Sequence, residues 1–252
     1  MPNRPQQPGR PMATVERAMA LLHVLEKSPR DLGTNEIARL AELNASTVSR
    51  LLATLAQDGW VSRSAETGRY RLGPRLVELG NAALARIDVR DRCRGHLISL
   101  AELTGETATL SVPYADGPIT VDFMQSPSSV RSVAEIGRPA VAHATATGKV
   151  YLAFTGRLPV GRLAAYTSRT ITDPGVLAAE AERVRQRGWA QSVGEREEDL
   201  NAIAAPVLAA NGALTAVLGL QGPASRFGPR AMRRASEHLV RRAEQASSHV
   251  AL

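Results

Sequence analysis

Residues 34–58 read TNEIARLAELNASTVSRLLATLAQD, and this stretch decides the fold of the amino-terminal part of the chain. Two amphipathic helical patterns meet at a tight connection, Glu42-Leu43-Asn44. The spacing predicts that the first helix buries Ile37, Leu40 and Ala41. It predicts that the second buries Val48, Leu51, Leu52 and Leu55, three and four residues apart as one helical face requires. The second helix opens on small hydroxyl side chains, Ser46 and Thr47, followed by Ser49 and Arg50. A helix that enters a DNA major groove needs an apolar back, a slim polar front and an arginine that reaches a base edge or a phosphate. The stretch therefore reads as a helix-turn-helix, with Ala45, Ser46, Thr47, Ser49 and Arg50 toward DNA.

The flanking residues extend this reading. Upstream, Val15, Ala18, Leu21, Leu22 and Leu25 recur at helical spacing, with Thr14 as the expected N-cap. Downstream, Gly59 is a helix stop, and 60–72 form a hairpin turning at Glu66-Thr67-Gly68. Val61 should face Tyr70 and Leu72, with arginines outward. Three helices and a basic hairpin make a winged helix-turn-helix, and Arg69 and Arg71 are its expected contacts to phosphate or minor groove. Apolar spacing and Ser/Thr at a helix start also occur in any small helical hairpin. The alternative for this domain is a winged helix that binds protein or RNA.

Composition narrows the class. The chain has 252 residues, with 44% hydrophobic and 22% charged, enough for one large or two ordinary domains. A net charge of +7 favours a polyanionic partner, but the charge is spread along the chain. Residues 1–80 hold 11 Arg plus Lys against 8 Asp plus Glu, and Arg230, Arg233, Arg234, Arg241 and Arg242 add a basic stretch near the end. A single cysteine, Cys93, excludes an intrachain disulfide and a cysteine zinc cluster. No apolar run is long enough for a membrane span, and MPNRPQQPGRP lacks the apolar core of a signal peptide. A cytoplasmic protein is expected, with a disordered tail over 1–12 in which Arg4 and Arg10 lie close to DNA at most.

After Gly73-Pro74 a linker helix is expected from Arg75 to about Val89, with Leu76, Leu79, Ala83 and Ile87 on one face. A second helix spans Arg92 to Leu103. The apolar period then changes to two, predicting strands over 106–113, 119–125, 130–136, 189–193, 201–208 and 214–221. Helices are expected over 144–154, weakly over 159–166, from Pro174 to Arg187 behind the Asp173-Pro174-Gly175 start, and from Pro229 onward. The fold class is α+β: a winged helix-turn-helix over 13–73, a linker helix over 74–90, and over 91–252 a sensor-type, GAF-like domain whose six-strand, mostly antiparallel sheet is flanked by helices.

In order, VERAMALLHVLEKS, EIARLAELNASTVSRLLATLAQDGWVSR, YRLGPRLVELG, HATATGKVYLAF, the Arg187-Gly188-Trp189-Ala190 turn, LNAIAAPVLAANGAL and LGLQGPASRF resemble the IclR family of bacterial transcription regulators over about residues 13–250. The resemblance implies a carboxy-terminal domain that binds a small organic acid and oligomerises. It also implies a homodimer or dimer of dimers on a palindromic double-stranded operator, acting on a catabolic operon, most often as a repressor. Carried across motif by motif, it places the effector against Ala146 and Thr147, Leu200 and Ala202, and Gly219 and Gln221. Relatives that bind small keto acids often carry serines at the last two positions. Gly219 and Gln221 change pocket volume and hydrogen bonding, so a larger or aromatic acid is allowed. A further departure is Val141 two residues before His143, where a proline is common.

Other chemistries find no support in the residues. ATATGK lacks the first glycine and the trailing hydroxyl of a phosphate loop, where His143 and Val150 stand. His143 reads as a satisfied histidine, Cys93 as packing, Glu195–Asp199 as a solvated acidic loop and 230–242 as a solvated helix face. The five histidines lack metal spacing, so no metal and no cofactor is expected. The competing functions are an enzyme tethered by a winged helix, for which no reactive constellation is legible, and a DNA-binding scaffold without a ligand.

Overall fold

The computed structural model describes residues 12–248, so the expected tail, with Arg4 and Arg10, lies outside the described residues apart from Met12. The chain divides into two compact units with the boundary between Arg86 and Ile87.

The first unit contains α1 (Ala13–Glu26), α2 (Thr34–Leu40), α3 (Ala45–Gln57), β1 (Val61–Arg63), β2 (Tyr70–Leu72) and α4 (Arg75–Leu84). Its core is Leu21, Leu25, Leu32, Ile37, Ala38, Val48, Leu52, Val61 and Tyr70. Each fully buried Leu, Ile or Val contributes about 1.5–3 kcal/mol, so the small helices are held by this shared core more than by propensity. α2 turns one residue further than its spacing suggested: Ala38 is buried and Leu40 is 49% exposed. Val15 is also exposed, and α1 begins with Met12, not Thr14, at the cap position.

The turn between α2 and α3 closes without glycine. The Leu43 N–H donates to Ala38 O at 2.9 Å and the Glu42 N–H to Arg39 O at 3.4 Å, the pair of bonds of a Schellman motif. Glu42 takes the left-handed conformation this requires, at φ 55°, which costs a residue with a Cβ about 1–2 kcal/mol. Asn44 stands at the N-cap of α3, yet its side chain makes no capping bond.

The second unit contains α5 (Asp88–Thr104), β3 (Thr107–Tyr114), β4 (Gly117–Met124), α6 (Ala146–Thr155), α7 (Pro174–Arg187), β5 (Ala190–Val193), β6 (Leu200–Leu208), β7 (Leu214–Pro223) and α8 (Pro229–Ser248). Its sheet has the order β4-β3-β7-β6-β5, antiparallel throughout. The sheet thus has five strands and not six, because 130–136 forms no strand. The large apolar residues there, Val130, Val133 and Ile136, are three apart rather than two, and all three are exposed, while the small Ala134 is buried. No helix forms over 159–166. Asp173 accepts from the Val176 N–H, and Gly188 ends α7 in the left-handed region, as the sequence cues required.

The expected linker helix is shorter, and α5 begins earlier than expected. Ile87 leaves the helical region at φ −90°, ψ 84°, and Asp88 and Asp91 start a new helix where their charges favour the N-terminal dipole. α5 is fixed by Val89 and Cys93 in the core and by Arg94, which donates to the buried Asp122 carboxylate at 2.6 Å. α5 and α8 pack on each other and on the sheet. α6 lies on the sheet in a cluster that joins its Ala146, Val150 and Ala153 to Ala190, Ala204 and Val217, and that also takes in Ala181 and Val184 of α7.

Candidate DNA-reading helix and ligand cavity

The apolar side of α3 is spent on the core through Val48 and Leu52. Its other side leaves Ala45, Ser46, Ser49 and Arg50 exposed and Thr47 half-buried. Among the described residues, the Ser46, Ser49 and Arg50 side chains have no hydrogen-bond or ion-pair partner. Arg71 is likewise exposed and uncommitted on β2.

Arg69 departs from the outward orientation expected of it. Its guanidinium lies 2.7 Å from Glu36 and donates to Asp31 O at 3.1 Å. Glu36 also takes Arg30 at 2.7 Å and the Gly33 N–H at 3.0 Å. The bond from Arg30, the Gly33 amide and then the Arg69 bond hold the Glu36 carboxyl down to about 2, from an ordinary 4.5. The Tyr70 N–H donates to Leu32 O and the Leu32 N–H to Tyr70 O, at 2.8 and 3.0 Å. The hairpin is thus tied to the start of α2, and Arg69 positions it.

In the second unit one cavity of about 450 Å³ lies between the sheet, the start of α6 and the loops 130–141 and 196–200. Ala146, Thr147, Leu200, Ala202, Gly219 and Gln221, drawn from three distant segments, all line it. Register explains the convergence. Thr109 pairs with Gly219 and Gly219 with Ala204, while Gln221 pairs with Ala202. Alternate residues of a strand share a face, so Val217, Gly219 and Gln221 lie under α6.

The first amides of a helix have no intrahelical acceptor. Thr145 caps Gly148 through its hydroxyl at 3.1 Å, which leaves the Ala146 and Thr147 amides at the cavity wall. Gly148 lets α6 start this close to the preceding loop, since a Cβ there would sit 2.4 Å from Ala142 O. The glycine of ATATGK therefore serves packing. Its lysine is buried, with Lys149 Nζ 2.6 Å from the Glu195 carboxylate and donating to Gln191 O at 3.0 Å. Glu195 is buried too, which corrects its assignment to a solvated loop. Burial pushes its carboxyl up, against the pull of Lys149.

Sequence reasoning missed the rest of the lining. Thr109, Ser111, Thr120 and Ser192 supply hydroxyls, and Arg131, Arg138 and Arg196 supply positive charge. Arg138 lies 3.8 Å from Glu197, and Arg196 stacks 4.0 Å from the Tyr166 ring centre. The signal was present in TATLS, where Thr107, Thr109 and Ser111 put polar side chains at alternate positions of a strand buried in the sheet. Outside the cavity, His143 Nε2 donates to Ala164 O at 2.9 Å, and burial pushes the Cys93 thiol up to about 11.

Residues 14–65 match the IclR helix-turn-helix domain, and residues 81–248 match the family described as bacterial transcriptional regulator IclR C-terminal. The chain belongs to the IclR family. Like its relatives, this IclR-family chain is a ligand-responsive, DNA-binding transcription regulator. It is 33% identical over 224 residues to the glycerol operon regulatory protein of Streptomyces griseus, across 87% of this chain and 88% of that one. The IclR transcriptional regulator of Alicyclobacillus acidocaldarius superposes with a TM-score of 0.81 at 28% identity, covering 95% of this chain and 99% of that one. An IclR homologue of Microbacterium hydrocarbonoxydans, solved in complex with 4-hydroxybenzoate, shares the fold with a TM-score of 0.75 at 20% identity, covering 94% and 99%. Among the described residues of this IclR-family chain, no helix is long and apolar enough to cross a membrane.

Proposed function

We propose that this regulator is a cytoplasmic repressor of a catabolic operon, binding a palindromic operator as a homodimer or dimer of dimers and released by a small organic acid held in the cavity of its second unit. The observation that carries the reading is the convergence of Ala146, Thr147, Leu200, Ala202, Gly219 and Gln221 on that one cavity. Free amides and the dipole at the start of α6 favour a carboxylate there, by about 0.3–2 kcal/mol for the dipole. Arg131 and Arg196 add charge of the same sense. Ala45, Ser46, Thr47, Ser49 and Arg50 face the major groove, Arg71 takes a phosphate, and Arg69 holds the hairpin that carries Arg71.

A duplex selected from a random-sequence pool by the full chain supplies the operator. Its affinity is then titrated with a panel of carboxylic acids, 4-hydroxybenzoate included. An acid that binds the protein should lower operator affinity roughly 5–150-fold. If acids bind and operator affinity does not change, the ligand-responsive repressor reading is wrong. An acid that tightens operator binding would make the protein an activator or a co-repressed regulator.

A further inference from the structure

The cavity floor has a chemistry of its own. Thr109 is 5% exposed, yet its hydroxyl has no hydrogen-bond partner among the described residues. The oxygen itself is not sealed off from the cavity, so it is open to hydrogen bonding with whatever fills that space. Its Oγ1 stands 2.6 Å from where a Cβ on Gly219 would be, and Thr147 Cγ2 lies 3.2 Å from the same point. A side chain at 219 would cover that hydroxyl, and glycine leaves it open at the foot of α6. Gln221, next along the same strand face, also has an uncommitted side-chain amide.

The remaining lining sets limits on the ligand's body. Among the described residues no aromatic side chain lines the cavity, so a flat ring finds only guanidinium faces to stack on, and that of Arg196 is already taken by Tyr166. Glu135 and Asp199 line it with carboxylates that have no partner among the described residues. They accept hydrogen bonds from ligand hydroxyls, and together with Glu197 they offset the charge of Arg131, Arg138 and Arg196, leaving no excess positive charge for a second carboxylate.

We infer that the effector is a non-aromatic monocarboxylic acid with hydroxyl groups along its chain, its carboxylate at the Ala146 and Thr147 amides and its hydroxyls read by Thr109 and Gln221. This rests on the cavity being the acid-binding site proposed above. A site built around buried hydrogen-bonding groups rejects an analogue that lacks the matching hydroxyls, because its own groups are then left unpaired.

The test is calorimetric titration of the full chain with three sets of acids: straight-chain aldonates of three to six carbons, alkanoates of the same lengths, and benzoate with 4-hydroxybenzoate. At least one aldonate should bind roughly tenfold or more tighter than the alkanoate of equal length and than either aromatic acid. Thr109→Val, of matching shape, and Gln221→Met at a half-exposed position should each weaken that aldonate roughly fivefold or more. Alkanoate affinity should stay the same in both variants. Tighter binding of an alkanoate or an aromatic acid overturns this inference and leaves the acid-binding cavity standing, as does an aldonate affinity that neither variant changes. If none of the three sets binds, the cavity is not an acid site and both readings fall.

Discussion

Arg50 and Arg71 are both exposed and uncommitted, but they sit on elements that meet DNA differently. An arginine on the groove-entering helix reads base edges, and a bidentate contact to guanine is worth about 1–3 kcal/mol of discrimination. Arg50→Ala should lose about that much on the operator and relax sequence preference, measured by gel shift against point-mutated sites. Arg71→Ala should weaken all sequences alike and reduce the salt slope by about one. Arg69 belongs to neither class, since its charge is spent on Glu36. Because Glu36 is depressed to about 2, its contribution to the hairpin is complete above about pH 4.5 and fades as the pH falls toward 2. Hydrogen exchange of the Leu32 and Tyr70 amides should therefore lose protection over that range in the native chain. Glu36→Gln should lower protection at pH 6 and remove the pH dependence. The sequence showed that the hairpin is basic. Which arginine is free depends on a carboxylate 33 residues away in sequence, and no local pattern encodes that.

At the scale of elements, α6 is anchored by a buried charge. Removing one partner of a buried ion pair leaves the other uncompensated, which costs about 3–5 kcal/mol. Lys149→Met should destabilise the second unit by about that amount in denaturant unfolding at pH 8. The Glu195 carboxyl is already raised by burial, so its protonation is favoured in the folded state. The folded form then binds the extra proton, and the defect of Lys149→Met should ease as the pH falls to 5. A second substitution, Glu195→Leu, should recover much of the loss. Helix caps and stops at Asp173, Gly188 and Pro229 were legible because their cues are local. The segment 130–136 forms no strand because its large apolar residues recur every three positions and so cannot line one face of a strand. It is held instead by scattered bonds, such as Thr107 Oγ1 and Gln125 Nε2 to Ser132 O.

For the whole molecule, the physics of linkage sets the decisive measurement. If an acid weakens the operator complex by some factor, the operator must weaken acid binding by the same factor. Calorimetry of the acid with and without saturating operator should show equal coupling, within error, to that found by titrating DNA with and without acid. Unequal factors would mean that the two ligands do not share one equilibrium of states. The break at Ala85–Ile87 bears on this, because it ends α4 before the second unit begins, a few residues earlier than the helix end near Val89 that periodicity predicts.

The order of residues alone determined that a helix-turn-helix with a basic hairpin precedes an antiparallel α+β domain, because periodicity, caps and turn residues act over a few neighbours. It also marked six positions for a ligand through resemblance. Only the folded chain decided that those six face one cavity, that Thr109, Ser111, Thr120 and three arginines share it, and that Lys149 lies beneath with Glu195. Strand register, and the desolvation it imposes on whatever lies under α6, arise from pairing between segments more than 100 residues apart, as at Thr109 and Gly219. That pairing is a property of the packed sheet and leaves no periodic trace in either strand.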